Sequence, residues 1–148
     1  MKTRIYLFTG FLDSGKTTFI NDTITSTDFC EGEKSLLIVS EQGEVGYNQE
    51  EIETLNCDIV YVTNEDQWTY EYFEDLRNKY NPTQVLIELN GMFNVNRLLA
   101  CSLPDGWEVV QVLTTINAQT FSLYIQNMRS LLFQHVVHTD LLIFNRIV

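Results

Sequence analysis

Apolar residues gather in six short runs along the chain: Ile5–Thr9, Ser35–Ser40, Ile59–Thr63, Val85–Leu89, Val109–Ile116 and Leu141–Phe144. Most are continuous (LLIV, IVYV, VLIEL, LLIF) rather than alternating with polar residues. Continuous runs of this length suit strands covered on both faces, as in a parallel sheet. The intervening segments carry a helical rhythm. Thr17–Ile24 places Phe19, Ile20 and Ile24 on one side, and Tyr70–Tyr80 repeats Tyr72, Phe73, Leu76 and Tyr80 before Asn81-Pro82 ends it. Asn94 is a cap for a short helix presenting Val95, Leu98 and Leu99. Ala118–Phe133 sets Phe121, Ile125, Met128 and Leu132 at amphipathic spacing. These stripes read as core rather than as binding grooves. Glu41–Asn56 is the one long polar loop. Strands alternating with helices predict an α/β fold, a mostly parallel sheet flanked by helices in three layers, with residues 1–148 as one domain.

Composition narrows the function. The chain has 148 residues, 45% of them hydrophobic, which suffices for a core and excludes a disordered polypeptide. Nine Lys plus Arg stand against 20 Asp plus Glu, a net charge of −11. Such a surface disfavours nucleic acid, so any anionic ligand needs a local device that overrides the global field. Cys30, Cys57 and Cys101 are scattered and fit reduced thiols better than a disulfide framework. The opening MKTRIYLFTG lacks the long apolar segment and cleavage site of a signal peptide, and no apolar run is long enough for a membrane span. The expectation is a cytoplasmic protein with no membrane partner.

The local device follows the first strand. Gly10-Phe11-Leu12-Asp13-Ser14-Gly15-Lys16-Thr17 matches G-x-x-x-x-G-K-[ST], with a strand before it and an amphipathic helix after it. The glycines let successive backbone N–H groups turn inward and form an anion nest at a helix N-terminus. Lys16 would reach the β- and γ-phosphates and the Thr17 hydroxyl would ligate Mg²⁺. Asp13 is unusual inside a phosphate loop, and it is expected to point away from the phosphates, or else to meet a partner or a catalytic water. The fold expected is therefore a three-layer P-loop NTPase.

GFLDSGKTTFIN resembles the opening of the CobW/HypB/UreG P-loop GTPases, in particular the CobW-like branch, and three further segments resemble it in order. Ser40-Glu41-Gln42-Gly43-Glu44-Val45-Gly46 is similar to the loop after that branch's second strand. Val85-Leu86-Ile87-Glu88-Leu89-Asn90-Gly91 is similar to its Walker B variant. Asp140-Leu141-Leu142-Ile143-Phe144-Asn145-Arg146 resembles the strand leading into the guanine-reading motif. The resemblance implies GTP and Mg²⁺ as ligands. It places Gly10, Leu12, Asp13, Ser14, Gly15, Lys16, Thr17, Thr18, Gly91, Asn145 and Arg146 around the nucleotide, with Thr17, Glu41 and Glu88 around the metal. Lys16 and Glu88 carry the catalytic roles. A carboxylate such as Glu88 at the end of a buried strand can hold Mg²⁺ or orient water. Gly91 is a candidate γ-phosphate donor and hinge.

Departures from the family pattern limit what carries over. No C-x-C-C metal motif follows the third strand, where the chain reads Thr63-Asn64-Glu65-Asp66-Gln67-Trp68. Cys57 stands alone upstream, and His135 and His138 have no evident co-ligand, which leaves a metallochaperone as the weakest reading. Val148 stands where the guanine-reading Asp is expected, as the last residue, so the expectation is a domain that stops short at its C-terminal end. No arginine finger is evident. The function expected is Mg²⁺-dependent GTP binding with slow hydrolysis, stimulated by a protein partner or a second copy. The alternative is a regulatory module that holds nucleotide without turnover.

Overall fold

The computed structural model describes residues 2–10, 15–40, 46–118, 126 and 139–145. Six strands form one sheet: β1 (Thr3–Thr9), β2 (Ser35–Val39), β3 (Cys57–Tyr61), β4 (Gln84–Glu88), β5 (Trp107–Asn117) and β6 (Leu141–Asn145). Their spatial order is β3-β2-β4-β1-β5-β6, and every pairing is parallel. The described helices are α1 (Lys16–Ser26), α2 (Gln49–Glu53), α3 (Tyr70–Tyr80) and α4 (Val95–Leu99).

The period-2 alternation of the strands divides the core. Ile5, Leu7, Leu36, Ile38, Val85 and Ile87 face the side covered by Phe73 and Leu76 of α3 and Val95 and Leu98 of α4. Phe8, Leu37, Val39 and Leu86 face the side covered by Ile20 and Ile24 of α1 and Ile52 of α2. Each central strand thus buries both faces, and the continuous apolar runs of β2 and β4 follow from that. The edges differ: β3 is only half-buried, and Leu141, Leu142 and Phe144 of β6 are exposed. Among the described residues each of these strands pairs with a neighbour on one side only, and continuity of apolar residues overstated burial there.

Local chemistry sets the helix ends. Thr69 caps α3 through its hydroxyl, which accepts from Tyr72 N at 3.1 Å. Asn81, in the left-handed region at φ 45°, closes α3 with its N–H donating to Arg77 O at 2.8 Å. Asn94 caps α4 as expected. Two expectations need correction. The polar stretch Glu41–Asn56 is not all loop, because Asn48 caps the short helix α2, whose single buried apolar residue, Ile52, leaves no readable period. β3 begins and ends two residues earlier than its apolar run, since Thr63 N and Asn64 N both donate to Gln67 Oε1 and are drawn into a 3-10 turn. The stripe expected over Ala118–Phe133 lies, apart from Ala118 and Gln126, outside the described residues.

Candidate functional site

β1 and α1 present their ends at the carboxyl edge of the sheet, where ligands bind in open parallel α/β folds. Gly10 (φ 129°) and Gly15 (φ 92°) both hold backbone conformations that a side chain would strain. Gly15 is the N-cap of α1, and its carbonyl accepts from Phe19 N at 2.9 Å to open the helix. Gly15 has no side chain with which to cap this end, and no acidic residue occupies the first turn. The first amides of a helix and its dipole favour negative charge. Lys16 is buried at 3% exposure, and its ammonium donates to the Gly10 carbonyl, tying the two ends of the loop together.

The second half of the site comes from β4. Alternation along that strand puts Glu88 on the same face as Leu86, towards α1. Glu88 is fully buried. The Thr17 hydroxyl donates to Glu88 Oε1 at 2.5 Å, and the Tyr47 hydroxyl donates to Glu88 Oε2. Burial, and then the nearby Glu88 charge, push the Tyr47 phenol well above its ordinary pKa, so it stays protonated as a donor. Ser40, just past β2, links strand ends: its N–H and hydroxyl both donate to Glu88 O, at 3.0 and 2.8 Å, and its oxygen accepts from Asn90 N at 2.9 Å.

Of the residues singled out from the sequence, Gly10, Gly15, Lys16, Thr17 and Glu88 converge here. Thr18 is exposed on the first turn of α1. Gly91 is buried in the turn after β4, which Phe93 N closes onto Asn90 O at 2.9 Å. Asn145 ends β6 in register with Asn117 of β5. That places it two strands from β1, on the order of 10 Å away at ordinary strand spacing. Leu12, Asp13, Ser14, Glu41, Glu44, His135, His138, Arg146 and Val148 lie outside the described residues. Tyr47 was not anticipated. The one signal for it is an aromatic residue placed next to Gly46 in an otherwise polar stretch.

The donor set is chemically definite. Thr17 and Glu88 offer two hard oxygens side by side, which suits Mg²⁺. Among the described residues no group of three or more His, Cys, Asp or Glu could hold a metal ion. Cys57 lies instead at the opposite edge of the sheet, buried beside Cys30.

A family model for the CobW/HypB/UreG nucleotide-binding domain matches residues 4–147. The chain belongs to this family. It is a nucleotide-binding domain on a P-loop fold. Among solved structures, it is similar to the hydrogenase maturation factor HypB from Archaeoglobus fulgidus, with a TM-score of 0.60 and 15% identity. The match covers 96% of this chain and 65% of that one, so the chain spans less than two thirds of that relative's length. At that identity the likeness speaks to the fold. No curated protein matches the sequence. No helix among the described residues is long and apolar enough to cross a membrane.

Proposed function

We propose that the protein is a slow, Mg²⁺-dependent GTPase switch of the CobW-like kind, with residues 1–148 forming nucleotide-binding domain sequence. The observation that carries this reading is the 2.5 Å approach of Thr17 to Glu88, which joins the phosphate loop to a strand end 71 residues away. In this reading the backbone of Gly10, Leu12, Asp13, Ser14 and Gly15 surrounds the phosphates, with Thr18 alongside in the first turn of α1. Lys16 exchanges its bond to Gly10 O for the β- and γ-phosphate oxygens, so a buried cation meets the developing charge. Thr17, Glu88 and Glu41 hold Mg²⁺, which supplies charge neutralisation on the transferring phosphoryl group. Glu88, fixed by its buried position, also orients the attacking water. Gly91 lets the segment after β4 follow the γ-phosphate, and Asn145 with Arg146 reads the base. Turnover is slow without an arginine supplied by a protein partner or a second copy. The acidic chain takes nucleotide rather than nucleic acid, and works in the cytoplasm.

Phosphate release from GTP, measured for the wild type and Lys16→Ala, tests the reading. Mg²⁺-dependent release that disappears in the variant is expected, and equal rates exclude a working phosphate loop. A second reading, a regulatory module that binds nucleotide without turnover, is favoured by one observation: Thr17 and Tyr47 engage both oxygens of Glu88. Tight GTPγS binding in calorimetry with no phosphate release at any Mg²⁺ concentration would select it. ATPγS in the same instrument reports base preference.

A further inference from the structure

Tyr47 sits at a place that phosphate binding alone does not explain. Its hydroxyl reaches Glu88 from 41 residues away, and it follows the exposed Gly46, where a side chain would meet nothing within 4 Å. The next residue, Asn48, caps α2 through its side chain, which accepts from Glu51 N at 3.2 Å. Tyr47 thus stands directly before the cap of α2. A fully buried carboxylate needs donors, and here one oxygen is met by Thr17 and the other by Tyr47.

Mg²⁺ cannot be added to that arrangement unchanged. Neighbouring oxygens in an octahedral shell at 2.0–2.1 Å from the metal stand about 2.9 Å apart, and Mg²⁺ retains several waters. Thr17 Oγ1 and Glu88 Oε1, at 2.5 Å, must separate, and the waters need the space beside Glu88 that the phenol fills. We propose that Tyr47 is a latch on Glu88, its hydroxyl competing with Mg²⁺ for the carboxylate and giving way when the metal binds. This rests on the reading of Thr17 and Glu88 as the Mg²⁺ site. By linkage, whatever favours the latched state opposes the metal to the same degree.

The test uses Tyr47→Phe, which keeps the ring and removes only the hydroxyl. Mg²⁺ is titrated into each protein with GDP bound, followed by fluorescence of a labelled GDP, and GDP affinity is also measured in EDTA. Loss of a charge-assisted hydrogen bond from the closed state should tighten Mg²⁺ about tenfold and leave the EDTA affinity unchanged. Ultraviolet difference spectra should show a tyrosine signal on adding Mg²⁺ to the wild type that is missing in the variant. Equal or weaker Mg²⁺ affinity in the variant, beside a wild type that responds to Mg²⁺, overturns the latch and leaves the nucleotide site standing. A wild type that binds no GDP, or binds it identically with and without Mg²⁺, overturns the underlying reading and the latch with it.

Discussion

Gln84 and Glu88 lie on the same strand and the same face, four residues and roughly 13 Å apart at strand rise, and both are buried. They have opposite fates. At the amino edge, Gln84 is neutral and its amide donates to Phe29 O at 3.1 Å and Ser35 Oγ at 2.8 Å. Cys30 Sγ, beside it, accepts from Ser35 Oγ at 3.5 Å. Hydrogen bonds from Cys57, Ser35 and Gln84 lower the Cys30 thiol, while Cys57 is raised by the same pairing and by burial. That network completes itself within the protein. At the carboxyl edge a fully buried carboxylate meets two hydroxyls, and a buried lysine is held on a backbone carbonyl. Buried charge is costly unless it is compensated, so the charged group of residues demands more of its partners than the neutral amide network does. Burial alone does not separate the two side chains, because Gln84 is buried as Glu88 is; what separates them is charge.

The largest expected effect is at the carboxyl edge. Lys16→Ala should weaken GDP binding roughly 100-fold, the loss of one strong charge-assisted contact, with little change in thermal midpoint. A fall in stability with unchanged affinity would reverse the roles assigned to the two edges. Gln84→Leu should do the opposite, costing about 1–3 kcal/mol in denaturant unfolding by stranding Phe29 O and Ser35, while GDP affinity of the folded protein holds. If affinity fell as well, the edges would be coupled through β4. Glu88→Gln comes next: it keeps the shape but removes the charge, so the Mg²⁺ enhancement of GDP binding, read by calorimetry, should fall about tenfold while binding in EDTA persists.

The smallest effect belongs to the amino edge. The hydroxyl of Thr83, and then Arg4 at 2.7 Å, hold the Glu33 carboxyl below its ordinary value of 4.5. Glu33 therefore contributes stability that is present above pH 4.5 and is lost as pH falls through its depressed value. Because Arg4 is 43% exposed, solvent screening keeps that contribution under about 1 kcal/mol. Glu33→Gln should lower the neutral plateau by under about 1 kcal/mol, leave the stability at the acid end unchanged and so flatten the acid limb below pH 4.5, measured by urea midpoints across pH.

Much of this molecule could be read without its tertiary structure, and the reason is locality. Strand runs, the Thr17–Ile24 and Tyr70–Tyr80 periods, the Asn81-Pro82 stop and the glycines of Gly10–Thr17 all act within a few residues of themselves. Alternation along Gln84–Glu88 even puts both polar ends on one face. α2 escaped because Ile52 is the single apolar residue of Gln49–Glu53, and the end of β3 escaped because a glutamine four residues on competes for its amides. What no local pattern contains is the strand order β3-β2-β4-β1-β5-β6, which seats β4 between β2 and β1 and so brings Glu88 beside Thr17 and Tyr47. The sequence alone determined that a phosphate loop, a strand-end carboxylate and an α/β core exist. Only packing decided that they meet, because contacts across 41 and 71 residues depend on which helices cover the face that Glu88 shares with Leu86.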